Sequence, residues 1–393
     1  MKSMKNIIKA CLVLLIASFL LPSCKKDSNL ELFLPDEGEV RLLFKHSEEE
    51  TVGDDGEDYF YNYCPSIFIE NDKEYVYYCT NKDWGNVTDY IGYREGTKSN
   101  KGIKYSDETI VISPTANTWD RTHTCDPTVI KGEFEYNLES YNYLMAYLGC
   151  VPADCTLNET GIAVAKSPEG PWIKCNGTKI DGKTNINPLV PYSDFNYTSS
   201  SWGTGQACLQ SIDKKGRVLL ITTVSSLAGS DVREYDLSNI NDYKLLRETK
   251  LFTDGISYGT SWIGNSEMVL DEINHKFILA KPRSPFGSDG QYPDFIADTI
   301  DIYYLDVSNY NNPFDVFFDN NRTETRNYVN SVTSQLSNYP RNHNCAIISD
   351  EYGRLYGNKE VGVAFTSSQY GSLSAMTYLK TYRIFATTFK LPY

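Results

Sequence analysis

Short runs of aromatic and β-branched residues, separated by polar turns, make up most of the chain. Typical runs are 75–78 (YVYY), 143–147 (YLMAY), 218–221 (VLLI) and 276–279 (KFIL). Runs of this length and composition between turn residues are typical of strands. Because no segment of the folded part shows a convincing long helical period, the pattern predicts an all-β protein.

Five segments repeat one arrangement, in which a small or polar pair opens an apolar strand that turns and returns as a second strand. The segments are 64–69 (CPSIFI), 126–130 (DPTVI), 206–210 (QACLQ), 266–270 (SEMVL) and 344–348 (NCAII), and their starts lie 62, 80, 60 and 78 residues apart. The turns between the paired strands are predicted at 70–73, 132–142, 213–216, 271–274 and 349–353.

Each repeat is long enough for a small sheet of several strands. A sheet of this size cannot bury both faces alone, so such units pack around a common axis as the blades of a propeller. We therefore predict a five-bladed β-propeller. Segment 40–44 (VRLLF) precedes the first repeat and 382–386 (YRIFA) ends the chain. One of them is expected to complete the other's blade and close the ring.

The first residues resemble a bacterial lipoprotein signal. Lys2, Lys5 and Lys9 precede an apolar stretch, residues 10–21, that is too short to cross a bilayer comfortably. It ends in LPSC, so Cys24 is the expected lipidation site, with ordinary signal cleavage nearby as the alternative. The predicted organisation is a signal peptide at 1–23, a tether at 24–38 and a propeller at 39–393. The mature protein is expected to be exported and lipid-anchored to a bacterial membrane, at the outer membrane or a periplasmic face.

Charge and composition narrow the class of ligand. The chain holds 37 Lys and Arg against 51 Asp and Glu, a net charge of −14, which argues against a nucleic-acid partner. It also holds 30 Tyr, 17 Phe and 5 Trp, a composition that suits strands and sugar-binding surfaces. Ten cysteines less Cys11 and Cys24 leave eight in the folded part. Their connectivity stays open; Cys150 and Cys155 are close enough in sequence to close a small loop.

Two motifs resemble five-bladed glycoside hydrolases of families 43, 32 and 117. Residues 163–172 (AVAKSPEGPW) are similar to an outer strand of these enzymes. Residues 126–131 (DPTVIK), followed by 143–147, are similar to their blade opening, which 64–67 and 75–78 repeat. The resemblance spans about residues 58–390. It implies a glycoside hydrolase-like lipoprotein of a polysaccharide-utilisation system.

The resemblance also implies a catalytic site, which this chain matches only in part. In these enzymes three carboxylates, at the starts of inner strands, converge on one sugar as base, orienting group and acid. The matching positions here are Cys64, Asp126 and Gln206, so only the second is a carboxylate. An amide cannot donate a proton as an acid does, and a cysteine base would be unusual.

Other residues could supply the missing acid and base. Glu267 opens the fourth repeat, and His123 and His343 precede the second and fifth. Histidine can act as acid or base near neutral pH. The alternatives without a catalytic role are a solvent-exposed surface charge for the glutamate and structural, hydrogen-bonded positions for the histidines. The resemblance offers a further role for His343, which is to help hold an axial ion. Calcium is the candidate ion; no other cofactor and no metal ligands are predicted, since no Cys/His cluster has the spacing of a zinc site.

Candidate binding residues lie around the same strand starts. Arginine suits the planar oxyanion of a uronate or sulfate, but it can equally form a salt bridge between blades. Tryptophan can stack on a sugar ring, as at Trp119, Trp202, Tyr258 or Trp262, or fill the core. The predicted substrate-binding set is Cys64, Arg121, Trp202, Gln206, Trp262, Asn265, Arg341 and Asn344.

Three functions remain open at this level. The first is a glycoside hydrolase that acts on an oligosaccharide or polysaccharide at the axial funnel, with Asp126, Glu267, His123 and His343 as candidate catalytic groups. The second is a non-catalytic glycan-binding lipoprotein with the same fold. The third is a propeller for protein–protein contact. The expected partners are a glycan and the membrane that holds the lipid anchor.

Overall fold

The computed structural model describes most of the chain beyond the N-terminal segment. The described residues are 33–46, 60–82, 88–152, 155–175, 187–195, 198, 201–224, 229–251, 266–283, 289–321, 326–372 and 377–393. The predicted signal peptide at 1–23 and Cys24 lie outside these ranges. Among the residues described, no helix has the length and apolar character needed to span a membrane.

Strands come in consecutive groups, each of which forms one sheet. A short strand, β1 (Arg41–Leu42), comes first. Blade 1 holds β2 (Asn62–Glu70), β3 (Lys73–Thr80), β4 (Tyr90–Ser99), β5 (Gly102–Tyr105) and β6 (Thr109–Ile112). Blade 2 holds β7 (His123–Tyr136), β8 (Glu139–Cys150), β9 (Glu159–Ala165) and β10 (Ile173–Lys174).

The remaining sheets follow the same plan. Blade 3 holds β11 (Thr204–Ser211), β12 (Arg217–Val224), β13 (Gly229–Asp236) and β14 (Lys244–Leu251). Blade 4 holds β15 (Glu267–Asp271), β16 (Lys276–Pro282), β17 (Ile300–Asp306) and β18 (Arg326–Val332). Blade 5 holds β19 (Arg341–Ile347), β21 (Glu360–Ser368) and β22 (Arg383–Lys390), while β20 (Ser349–Asp350) joins blade 1. A one-turn helix (Ser334–Ser337) and four 3₁₀ turns (Tyr192–Asp194, Ile240–Asp242, Pro313–Phe317 and Leu379–Thr381) connect strands.

The first strand of each sheet contacts the first strand of the next. Contacts run from β2 to β7, β11, β15 and β19, and β19 returns to β2. The sheets therefore form a closed ring, which confirms the predicted five-bladed β-propeller. The ring closes as expected, because β1 pairs with β22 in blade 5, Arg41 opposite Ala386 and Leu42 opposite Phe385.

Apolar side chains fill the spaces between neighbouring blades. Each inner strand sends alternate residues to opposite sides; in blade 2, Val129 packs toward blade 1 and Ile130 toward blade 3. Strands such as β3 are apolar on both faces, since Val76, Tyr77 and Tyr78 are fully buried. Burial on both faces explains why these runs lack the polar alternation of a half-exposed sheet.

Two predicted boundaries are wrong. The turn expected at 132–142 is a two-residue turn at Asn137 and Leu138, both with positive φ, because Phe134 and Tyr141 extend the hairpin into the core between blades 2 and 3. The tether predicted at 24–38 ends earlier than expected. Phe33 and Leu34 are buried in the core between blades 5 and 1, since apolar side chains favour burial over a solvated linker.

The segment after β19 closes one end of the axis. It pairs through β20 with β2, and its Glu351 carbonyl accepts the Lys131 N–H of blade 2. Arg354 donates to the Ser211 carbonyl of blade 3, and the Gly353 carbonyl accepts the Leu270 N–H of blade 4. These contacts join all the other blades where their inner strands end. The inner strands begin at the opposite face of the ring.

Candidate functional site

Four of the five inner strands begin with the same β-bulge. One residue is inserted between Tyr63 and Ser66, Cys125 and Thr128, Gly205 and Cys208, and His343 and Ala346. The bulge residues Cys64, Asp126, Gln206 and Asn344 have φ values of 50°, 48°, 48° and 44°. Positive φ is uncommon in residues other than glycine and clusters at functional sites, and bulges redirect side chains. In blade 4 the described strand is regular from Glu267 onward.

The bulge residues contact one another across blades, and we call Cys64, Asp126, Gln206 and Asn344 the axial ring. The Cys64 sulfur lies within 4.8 Å of an Asp126 carboxylate oxygen and interacts with the Asn344 side chain. The Asp126 carboxyl accepts the backbone N–H of Gln206. Blades 1, 2, 3 and 5 thus meet at one set of polar groups, three of which lie at the positions that the sequence comparison singled out.

Burial controls protonation in the axial ring. It raises the pKa of Asp126 to about 6, against the hydrogen bonds from Cys64 and Gln206. Burial, followed by the nearby Asp126 charge, holds the pKa of the Cys64 thiol well above its usual value. Cys64 is therefore a neutral hydrogen-bond donor and not a base. Asp126 can exist as carboxylate or as acid near neutral pH.

A buried acid that the sequence did not single out lies beside the axial ring. Asp89 accepts hydrogen bonds from the Tyr61 hydroxyl at 2.6 Å and the Tyr63 hydroxyl at 3.0 Å. Its Oδ2 lies 3.1 Å from Nδ1 of His123. Burial disfavours protonation of His123, but Asp89 and, after it, Cys155 outweigh burial and raise the pKa of the imidazole to about 10. The spacing of Tyr61, just before β2, and Tyr63, within it, is the only sequence signal for this network.

A disulfide between Cys79 and Cys125 joins blade 1 to blade 2. The Cys79 sulfur lies 2.9 Å from the backbone nitrogen of Asp126. Cys150 and Cys155, whose pairing the sequence left open, are free thiols. Cys64, Cys79 and Asp126 bring donor atoms within 4.8 Å of one another. Because the Cys79 sulfur is in a disulfide, this group lacks the thiolate that would hold a metal ion.

Glu267 lies deeper along the axis than the axial ring. It lines an internal cavity of about 10 Å³ together with Ser66, Thr128 and Gln210. The Cys208 thiol donates to its Oε1 at 3.3 Å. Burial raises the pKa of Glu267 to about 8 in spite of this hydrogen bond. The carboxyl is therefore mostly protonated at neutral pH, beside the axis as predicted.

The axial calcium suggested by the resemblance does not fit these residues. Calcium takes about six to eight oxygens at about 2.3–2.6 Å. The Ser66 hydroxyl already accepts the Val129 N–H, and the Thr128 hydroxyl accepts the Leu209 N–H. The cavity has room for about one water. With a protonated Glu267, the lining suits a water molecule better than a divalent cation.

The two candidate histidines occupy different environments. His123 lies three residues before its bulge, and His343 lies one residue before its own. His343 packs its ring against Tyr382 at 4.9 Å, and its Nδ1 has no hydrogen-bond partner among the described residues. Burial lowers the pKa of His343 to about 3. It is neutral at neutral pH and cannot supply a proton as imidazolium.

The Arg341 guanidinium is bonded within the protein, as in the alternative of a salt bridge between blades. Its guanidinium pairs with both carboxylate oxygens of Asp289, at 2.6 and 2.9 Å. The other donors reach the carbonyls of Gln291, Pro293 and Pro340. All five N–H donors are thus engaged, and the residue anchors the segment 289–293. Arg121 is exposed just before β7.

Of the candidate tryptophans that the structure describes, one lies in the hydrophobic core and one lies beside the axial ring. Trp119 is buried, stacks on Tyr147 at 5.4 Å and belongs to the core between blades 1 and 2, which corrects its proposed sugar contact. Trp202 is partly buried against the cluster that contains Cys64 and Leu148. It therefore forms an apolar wall beside the axial ring. Tyr258, Trp262 and Asn265 lie outside the described residues.

A second concavity of about 420 Å³ lies between blades 2 and 3, away from the axial ring. Its lining includes Glu159, Asp194, Arg233, Tyr235 and Tyr243. Arg233 is paired with Asp231 at 2.5 Å and Asp194 at 2.9 Å. Since its main cation is already neutralised, this groove offers less to a ligand than its volume suggests. A substitution in this groove is therefore a suitable control for substitutions in the axial ring.

Comparison with known proteins supports the fold. The sequence matches no protein-family model and no curated protein. Among solved structures, a family 117 glycoside hydrolase produced by the marine bacterium Zobellia galactanivorans aligns with a TM-score of 0.50 and 12% identity, covering 90% of this chain and 91% of the other. The alpha-L-arabinofuranosidase from Podospora anserina, in complex with cellotriose, aligns with a TM-score of 0.50 and 12% identity, covering 90% and 98%.

A GH43_1 enzyme from Xanthomonas citri aligns with a TM-score of 0.50 and 10% identity, covering 84% of this chain and 88% of the other. All three relatives are glycoside hydrolases, and identities of 10–12% support a shared fold only. The structure is thus similar to propeller glycoside hydrolases, as the sequence motifs indicated.

Proposed function

We propose that this protein recognises a glycan at the axial ring, on the face where the inner strands begin. One observation carries the proposal: four blades place the same left-handed bulge at the same point, where the side chains of Cys64, Asp126 and Asn344 meet and the Gln206 backbone N–H reaches Asp126. Such strained, repeated geometry is maintained where side chains must be aimed.

The chemistry of the axial ring suits sugar hydroxyls. Two amides, a thiol and a carboxyl supply donors and acceptors at Gln206, Asn344, Cys64 and Asp126. Trp202 adds an apolar face of the kind that packs on the C–H groups of a sugar ring. The structural neighbours support a glycan as the ligand class, since one was solved with cellotriose.

Binding without cleavage is the function that the axial ring supports best. Glycoside hydrolysis needs two carboxyl groups, about 5–10 Å apart, on either side of the scissile bond. The axial ring has one, Asp126. Asp89 is engaged by Tyr61, Tyr63 and His123. The Cys64 thiol and the Gln206 amide lack the acid–base chemistry of the carboxylates expected there.

Hydrolysis is the second candidate, and the protonation of two carboxyls favours it. The pKa of Asp126 is raised to about 6 and that of Glu267 to about 8, so one is mostly ionised and the other mostly protonated at neutral pH. Carboxyl groups with pKa values pushed apart are the mark of an acid–base pair. Against this, Glu267 lies partly buried below the axial ring, where it contacts Cys208.

Export and lipid anchoring belong to the same proposal. They rest on residues 1–24, in which lysines, an apolar stretch and LPSC follow one another. A lipoprotein at the cell surface would present its propeller to polysaccharide fragments. Cys24→Ala should leave the protein unlipidated and release it from the membrane fraction, whereas unchanged membrane attachment would contradict the anchor.

A glycan screen that reads both binding and reducing-sugar release separates the two candidates. The mature protein is tested beside Asp126→Asn, which keeps the side-chain shape but cannot ionise. Binding by the wild type with no release supports a recognition protein. Release that disappears in Asp126→Asn supports a hydrolase. Failure of any glycan to bind, with the fold intact by circular dichroism, would overturn both.

A further inference from the structure

Three soft metal-ligand side chains converge beside the axial ring. His123 opens β7 and Cys150 ends β8, and the two residues face each other directly in the antiparallel pair. Cys155 returns to the same place five residues later. The imidazole nitrogen and the two thiol sulfurs lie within 4.8 Å of one another. We propose that His123, Cys150 and Cys155 form a zinc-binding site.

The orientation of His123 supports this assignment. Its Nδ1 lies 3.1 Å from both the backbone nitrogen and the carboxylate Oδ2 of Asp89, so the ring atom left for the two sulfurs is Nε2. A carboxylate on the far ring nitrogen is the usual support for a metal-bound histidine, because it fixes the tautomer and makes the ligand more basic. Asp89 itself is held by Tyr61 and Tyr63, so this support is rigid.

The donor set selects the metal. Thiolates and imidazole favour zinc among the common divalent ions, whereas calcium and magnesium take oxygen ligands. Zinc lies about 2.3 Å from sulfur and about 2.0–2.1 Å from nitrogen, so the three donors need to close by only about 1 Å. His123 and Cys150 are buried, while Cys155 is partly exposed and gives the ion access.

Three protein ligands leave a fourth position for water or a ligand group. The site is separate from the axial ring but connected to it. Tyr63 donates to Asp89 and lies 3.0 Å from the Cys125 sulfur, next to Asp126. The zinc site does not depend on glycan recognition and can be tested without a sugar.

The test uses the mature chain, purified anaerobically with a reductant, stripped with a chelator and titrated with cobalt(II) and then zinc. We expect one equivalent of metal and an intense thiolate-to-cobalt charge-transfer absorption, which zinc displaces. This readout on the wild type needs no variant. Cys155→Ser, at the partly exposed position, should weaken zinc binding by at least about 100-fold and reduce that absorption.

Two further variants sharpen the result. Asp89→Asn should weaken zinc binding about 10–100-fold and keep the charge-transfer absorption, because it removes a support and not a ligand. Cys175→Ser removes a buried free thiol from a different blade interface and should change nothing. No metal uptake by the folded, reduced wild type overturns the site. So does an equal loss in Cys175→Ser, or a mapped Cys150–Cys155 disulfide that yields no zinc binding after reduction.

Discussion

The sulfur of Cys79 lies 2.9 Å from the backbone nitrogen of Asp126, so the bond that joins blades 1 and 2 also supports the left-handed bulge of the axial carboxyl. Asp126 is the one carboxylate of the expected triad that this chain keeps. Its backbone is held by a covalent cross-link from the neighbouring blade, whereas Gln206 and Asn344 depend on hydrogen bonds and packing.

Removing this cross-link should destabilise the fold. Cys79 and Cys125 are 46 residues apart, and closing a loop of that length is worth about 2–4 kcal/mol. We expect Cys79→Ala with Cys125→Ala to lower the free energy of unfolding by that amount in denaturant titrations. The control is Cys175→Ala with Cys345→Ala, which removes two buried thiols that form no disulfide. Equal losses in the two pairs would show that the cross-link contributes nothing.

Gly203 fixes the approach of the Trp202 segment to blade 2. It has a φ of 107°, and a Cβ there would lie 2.3 Å from the Asn158 nitrogen. Gly203→Ala should therefore destabilise the protein by about 1–3 kcal/mol more than Gly102→Ala. Gly102 is the matched control because its φ is 103° but its Cβ would meet nothing within 4 Å. Thermal and denaturant unfolding measure the difference; similar losses would mean that the close contact carries no cost.

Glu267 should make stability fall as pH rises. Its pKa in the folded state is raised to about 8, so between about pH 4.5 and 8 the folded chain holds a proton that the unfolded chain releases. Glu267→Gln has no proton to lose there. Relative to wild type, the variant should gain at least about 1 kcal/mol of stability between pH 5 and pH 9. Glu133→Gln, at an exposed position of β7, is the control. If the stability difference between Glu267→Gln and wild type did not change with pH, the raised pKa of Glu267 would be contradicted.

The blade order could be predicted from sequence because every inner strand repeats a polar pair before an apolar run. The bulges could not be read from that pattern, although Pro65 and Pro127 were a usable signal. Within a sheet, proline is confined to bulges, strand starts and edge strands, and β7 is the edge strand of its sheet, so the signal is a weak one. The repeat at 64, 126, 206 and 344 therefore marked the axial ring without revealing the backbone that aims it.

At the site, the contacts that could not be predicted are those between residues far apart in the sequence. No local sequence pattern indicates that Asp89 contacts His123, or that Arg341 is bonded to Asp289, 52 residues away. Cysteine spacing likewise suggested Cys150 and Cys155, whereas the structure pairs Cys79 with Cys125 because neighbouring blades bring those strands together. The sequence left Trp119 open between a sugar contact and the core, and the structure places it in the core, where it packs on Tyr147.

The most direct test of the account is calorimetric titration of the best glycan from the screen into four proteins. These are the wild type, Asp126→Asn, Trp202→Ala and Tyr243→Ala, the last altering the groove between blades 2 and 3. We predict that the two axial variants bind at least about tenfold more weakly, a loss of about 1.4 kcal/mol or more, and that Tyr243→Ala binds like wild type. Full affinity in both axial variants, with loss in Tyr243→Ala, would place the glycan in the outer groove and contradict the axial site.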